Sequence, residues 1–296
     1  MSMEQLTLAS SEAETPYSND KPNESDIIFP STTPQKLAWL DLKEGLMAWR
    51  IWVMLASQDI KFRYKRSTLG PLWLTLSMAI TVYSMGYIYS QLFKTDLAEY
   101  YPFLVSGMVA WAFISTLVLD FSEWFLHDYG LIKQIKLPYS LYIHQIIVRN
   151  ILVFLHNIII MVPIFIIYHK NAPINLNTLF LIPALGIVYI NAFFYGLVIA
   201  IACARYRDIP PIIKSAMQVI FFITPVMWSS DALVGKKHLI VDLNPMYTFL
   251  ELVREPLLGN LPSTKNLIVA SVMTLFGFLM SFQLFSRYRK RIIYWL

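Results

Sequence analysis

Residues 61–73 read KFRYKRSTLGPLW: four basic residues in six positions, then Gly70-Pro71, then Trp73 at the start of a long apolar run. Lys and Arg in short connections resist translocation, so dense positive charge set directly against an apolar stretch marks a membrane boundary on the cytosolic side. Gly70 and Pro71 are read as the bend from the preceding segment into a first span.

Upstream, from 46 to 64, Arg50, Ser57 and Lys61 fall on one narrow helical stripe, while Trp49, Trp52, Val53, Leu55 and Ile60 cover the remainder. A helix of that kind lies in the membrane interface rather than crossing it, and an amphipathic interfacial helix is expected over 37–66. Residues 1–36 hold six acidic residues, two lysines and fourteen Ser, Thr or Pro. With so few large apolar groups to offset the entropy of ordering, they are read as a disordered cytosolic tail. No basic stretch followed by an apolar run opens the chain, so no cleavable signal peptide is expected.

Downstream, five charge-free stretches (67–93, 100–119, 150–169, 171–204 and 266–286) are long enough to cross, since a hydrocarbon core needs about 20 helical residues at about 1.5 Å each. Spans are placed at about 72–93, 102–121, 146–168, 179–202 and 266–286. A sixth stretch, 215–230, is shorter and contains Thr224-Pro225. It crosses, over about 212–228, only if its first turn takes in Lys214 with the ammonium reaching back to the interface. Residues 229–260 mix four acids and three bases with many large apolar residues, and are read as a re-entrant pair of short helices on the outer side.

Placing the N-terminus inside puts fourteen Lys and Arg on the cytosolic connections and six on the other side, so both termini are expected in the cytosol. Composition agrees: 56% of residues are apolar, 15% are charged and the mean hydropathy is +0.52, outside the range of soluble domains. The expectation is an all-α integral membrane protein with six transmembrane helices.

Several function classes fall away. The net charge of +5 sits in clusters between apolar runs rather than along a surface suited to nucleic acid. Cys203 is the single cysteine, which excludes an internal disulfide and a multi-cysteine metal site. The five histidines show no ligand spacing, so no metal site is expected. Neither GxxxxGK[ST] nor GxSxG occurs, and no paired intramembrane carboxylates suit acid-base work; no catalytic residue and no cofactor is assigned to the chain.

Among the polar groups, Asp120, Glu123 and Asp128 have two readings, catalytic or proton-carrying groups and a solvated elbow pairing with Arg149 or Arg205, of which the elbow is preferred. His156, Asn157 and Asn191, at bilayer depth, read as interhelical hydrogen-bonding groups. Most rings are interface belts or core, but Tyr83 and Tyr87 in the first span, Trp111 in the second, and Phe221, Phe222 and Trp228 in the fifth are candidates to line a path for sugars.

With QDIKFRYKRSTLGPLW before the first span, LIKQIKLP after the second, ARYRDI after the fourth and NPMYTFLELVREPLLG before the last, the chain over about 40–296 resembles the permease subunits of type-2 bacterial ABC exporters. Specifically, it resembles the polysaccharide group that exports O-antigen, capsule and teichoic-acid chains. The resemblance implies a homodimeric channel in the bacterial inner membrane, moving a lipid-linked polysaccharide and driven by two copies of a separate cytosolic ATPase that holds ATP and Mg. It also implies that the connection after the second span, about 124–137, docks on the ATPase through Trp124, His127, Tyr129, Leu131, Ile132 and Lys133. The basic residues Arg63, Lys65 and Arg66 are expected to anchor the chain in the inner leaflet and to attract the carrier's phosphates. Two features depart from the family pattern: the 36-residue tail, and Leu137 where a phenylalanine is common. Two alternatives stay open: a type-2 exporter of drugs or small lipids, and a membrane-embedded glycan transferase.

Overall fold

Gly70 and the segment around it separate two helices that lie along the protein from a bundle that is helical throughout. The computed structural model describes residues 33–67, 70, 72–127, 137–229, 241 and 243–295, the side chains of 125–127 excepted, and no strand occurs among them. The single interfacial helix expected over 37–66 is instead two, α1 (Pro34–Met47) and α2 (Trp49–Arg63), broken at Ala48. Arg66 and Gly70 then take left-handed backbone conformations, φ 73° and 56°. Only glycine adopts that region without steric cost, which suits Gly70 to the bend.

The spans follow as α3 (Leu72–Phe93), α4 (Leu97–His127), α5 (Tyr139–Asn157) continued by a 3-10 turn into α6 (Val162–Ile167), α7 (Leu181–Arg205), α8 (Ile209–Ile223) and α10 (Thr264–Tyr288), with α9 (Pro245–Leu257) between the last two. Five helical segments are long and apolar enough to cross a membrane, and α8 is a shorter apolar helix. The 3-10 break over Ile158–Met161 comes just before Pro163, whose ring nitrogen cannot donate to the preceding turn.

Span boundaries differ from the expected ones for identifiable reasons. Helix α5 begins at Tyr139, well before the expected 146, and runs through Arg149 because that charge is paired inside the protein. Helix α4 has 31 residues, about 46 Å at 1.5 Å each, and so outruns a hydrocarbon core of about 30 Å. Its start is capped by Asp96, whose carboxylate accepts from the Ala98 N–H at 3.1 Å. Helix α8 starts at Ile209 with Pro210 and Pro211 in its first turn, where the missing N–H groups cost nothing, and stops at Thr224-Pro225. Lys214 therefore lies inside the helix, as expected, but helix is absent from 224–228. Within the region 229–260 expected to be re-entrant, α9 is present and buried from Thr248 to Arg254; residues 230–240 and 242 lie outside those described.

The core sits between α4, α5, α7 and α9 and contains Leu104, Phe121, Tyr142, Phe154, Leu197 and Leu250, all nearly inaccessible. Gly196 lets α7 approach α4, since a Cβ there would lie 2.6 Å from the Phe121 ring. The long faces of α3 and α10 remain apolar and exposed, as lipid-facing surfaces do.

Candidate functional site

One end of the bundle collects the ends of α2, α4, α7 and α10 and the start of α5, and most of the charge. Helix α5 has no side-chain cap of its own, so its first N–H groups need partners from elsewhere. Asp41 of α1 supplies them: its carboxylate accepts from the N–H groups of Tyr139 and Ser140 at 3.2 and 3.0 Å, and from the Ser140 hydroxyl at 2.9 Å. Arg289, past the end of α10, donates to the same carboxylate through Nε at 2.8 Å. Asp41 is fully buried, and a buried carboxylate is tolerated only when hydrogen-bonded and paired in this way. The fit depends on Gly45, where a Cβ would lie 2.1 Å from the Ser140 oxygen.

A second junction ties α2 to α4 and α5. Arg149 donates to Asp59 at 3.3 Å and to Asp120 at 2.8 Å. Gln145 and Asn150 add hydrogen bonds to the same two carboxylates at 2.8 and 2.7 Å. Asp120 thus finds Arg149, one of the two partners expected for it. Arg205 instead lies over the rings of Tyr206, Tyr288 and Trp295, at 5.1 to 5.7 Å, an arrangement favourable to a cation.

Beside this junction a cavity of about 470 Å³ runs between α3, α4 and α5, lined on its polar side by Arg63, Ser77, Thr81, Thr116, Asp120 and Arg149. The Ser77 and Thr81 hydroxyls donate to carbonyls of their own helix at 3.0 and 2.9 Å. Arg63 is exposed, as are Lys65 and Arg66 on the turn that follows. The structure therefore brings Arg63 to the edge of this cavity and leaves the other two on the surface nearby.

The far end is built around Arg254, which sequence reasoning counted only as a charge on the outer side. It is buried, pairs with Glu251, donates to the Pro225 carbonyl at 2.8 Å, and stands 4.3 Å from the centre of the Phe103 ring. Gly107 of α4 admits this chain crossing, since a Cβ there would meet the Val226 carbonyl oxygen at 2.8 Å. Tyr100 donates to the Met227 carbonyl at 2.9 Å, and Asn244 to the Thr224 hydroxyl at 2.7 Å. The signal for Arg254 was present in the sequence: a base three residues after an acid, inside an apolar helix-length run.

Next to this knot lies a cavity of about 500 Å³ lined by Phe93, Glu99, Tyr100, Phe103 and Trp228. Of the expected lining rings, Trp111 packs on Phe221 at 5.5 Å, and Phe221 on Phe222 at 5.5 Å. Trp228 lines the far-end cavity, and Phe222 is exposed. Tyr83 does not join them; its hydroxyl donates to the Ile160 carbonyl at 2.6 Å and its ring packs on Tyr101, so it fastens α3 to neighbouring spans. Tyr87 is exposed on α3.

The chain matches the ABC-2 type transporter family over residues 50–258. That stretch runs from α2 to α9 and includes the Arg149 junction and the Arg254 knot, but neither Asp41 nor Arg289. The chain belongs to the ABC-2 type transporter family. Among curated relatives of this ABC-2 permease, two O-antigen export system permease proteins RfbA of Klebsiella pneumoniae are 22% and 24% identical. The first aligns over 77% of this chain and 87% of the relative, the second over 66% and 74%. A third, RfbA of Myxococcus xanthus, is 20% identical over 67% and 76%.

As a permease the chain is the transport component of its system. The connection expected to meet a partner falls largely outside the described residues: Tyr129, Leu131, Ile132 and Lys133 lie there, and His127 ends α4 with its side chain not described. Trp124 is 3% exposed and packs on Tyr142 at 4.5 Å between centroids. The polar groups of the spans divide likewise. Thr75 donates to Asn157 at 3.1 Å and Asn191 to Thr274 at 2.8 Å, between helices as expected. His156 bonds instead within its own helix, to the Leu152 carbonyl at 2.6 Å.

Proposed function

We propose that this ABC-2 permease is the channel-forming half of an ATP-driven exporter that moves a lipid-linked polysaccharide of the O-antigen type outward across the bacterial inner membrane. In this reading it works as a homodimer with both termini in the cytosol, and two copies of a separate ATPase bind and hydrolyse ATP with Mg. The observation that carries the reading is the pairing of two dissimilar sites. Arg63, with Lys65 and Arg66 exposed beside it, suits a phosphate-bearing carrier at the inner leaflet, and the Tyr100, Phe103 and Trp228 cavity suits sugar rings at the outer end. Fixed cations recognise phosphate well, and the apolar faces of sugars stack on aromatic rings. The names of the relatives support the same substrate class.

The junctions at Asp41 and Arg149 give ATP-driven motion a path. Residues 128–136 connect α4 to α5, so a push delivered there reaches α5, and α5 is bonded to α1 and α2. Replacing Arg63, Lys65 and Arg66 together by glutamine tests the carrier site. The expected result is lost export with normal membrane insertion; unimpaired export would remove the binding role. Modification of a lipid-linked sugar by the purified chain alone, without any ATPase, would instead favour the transferase reading.

A further inference from the structure

A cavity of about 360 Å³ lies beneath α1, lined by Leu42 and Leu46 of that helix, by Phe193, Phe194 and Phe278, and by His144. Among the described residues Lys43 is the one charged side chain on it, and is exposed. Trp39, Leu46 and Ile190 around it are 46 to 58% exposed, and Leu275 and Leu279 continue the same apolar surface along α10. The cavity therefore opens on a face suited to acyl chains, not water.

Its depth follows from the helices. Arg287 marks the charged end of α10, and Phe278 is nine residues back along the same helix, about 13 Å at 1.5 Å each. The cavity thus runs from headgroup level into the hydrocarbon. His144 adds a polar requirement. Its Nδ1 stands 2.6 Å from the Tyr189 hydroxyl, its ring is stacked at 4.4 Å on Phe193, and it is 3% exposed. Its Nε2 is buried with no hydrogen-bond partner among the described residues. With Tyr189 donating to Nδ1, the proton of the neutral ring sits on Nε2, and a buried N–H of that kind calls for an acceptor.

An acyl chain among aromatic and aliphatic walls, an acceptor at carbonyl depth and an anion at a lysine describe one molecule. The geometry points to a resident anionic glycerophospholipid, with its phosphate at Lys43, an ester carbonyl accepting from His144, and one acyl tail beneath α1. A polyprenyl carrier lacks the ester carbonyl and does not meet the His144 requirement. The lipid is a fixed component from the surrounding bilayer, distinct from the exported cargo, and it fills the space between α1 and the spans.

The test is native mass spectrometry on the full chain in detergent, titrated separately with diester phosphatidylglycerol, its diether analogue and a polyprenyl phosphate. One phosphatidylglycerol per chain is expected, held about fivefold more weakly in Lys43→Gln, as one lysine near an anionic lipid is worth. The diether analogue is expected to bind about fivefold more weakly than the diester, the worth of one hydrogen bond. That difference disappears in His144→Phe, which keeps the ring stack. Leu46→Trp, at an exposed position, blocks the cavity without touching the core. Phosphatidylglycerol binding unchanged in both Lys43→Gln and Leu46→Trp would overturn the proposal, as would polyprenyl phosphate binding more tightly than the diester.

Discussion

Asp41 of α1 holds the start of α5 and Arg289 on a single carboxylate. Asp41→Ala leaves Arg289 and two helix-start N–H groups without their acceptor, and removing one partner of a buried pair costs about 3–5 kcal/mol. A lowered thermal midpoint of the detergent-solubilised protein is the expected result, with Asp41→Asn intermediate because its amide oxygen still accepts. Glu255 offers a pH test. Burial, reinforced by the hydrogen bond and negative charge of Glu251, raises its carboxyl to about 7. The folded chain therefore holds a proton that the unfolded chain, titrating in the ordinary carboxylate range, has lost. The stability this contributes is present below the ordinary range and is lost as pH rises through about 7. Thermal midpoints should fall between about pH 5 and 8, and Glu255→Gln should flatten that slope. An unchanged slope in the variant would assign the pH dependence elsewhere. In sequence Asp41 was one acid among several in an amphipathic helix, because nothing local reveals that its partners lie about a hundred and about 250 positions away.

At the level of elements, Arg254 joins the chain leaving α8 to α9 and to α4. Arg254→Met keeps the bulk but strands Glu251, and a destabilisation of about 3–5 kcal/mol is expected. Adding Glu251→Gln should recover part of it, and a double-mutant cycle measures the coupling. Additive effects would show that the two side chains do not form one unit. Gly107→Ala presses a methyl on the Val226 carbonyl and should cost about 1–3 kcal/mol as overpacking, read as a lower unfolding midpoint. Helix positions were largely legible in the sequence, since an apolar run of span length has few other solutions. Their ends were less so. Arg149 looked like a boundary and is a paired internal residue, and Ala48 breaks a helix whose periodicity continues across it.

For the whole molecule, the prediction is that work arrives from outside the chain. Reconstituted alone in liposomes, it should hydrolyse no ATP, and reporters fused to its two ends should be protected on the same side of the membrane. Activity of the chain alone, or reporters on opposite sides, would sink the exporter assembly. The sequence by itself determined that this is a helical membrane protein, roughly where it crosses, and which family it belongs to. Hydrophobic length, charge at the boundaries and a few linear motifs are local properties, and each is readable within a window of some twenty residues. Tertiary structure alone decided that Asp41 caps a distant helix, that Arg254 is buried, that Trp124 faces the core, and that a cavity lined by His144, whose Nε2 has no hydrogen-bond partner among the described residues, lies beneath α1. Those facts depend on contacts between residues far apart in the chain, and in a chain so uniformly apolar, composition does not say which faces meet.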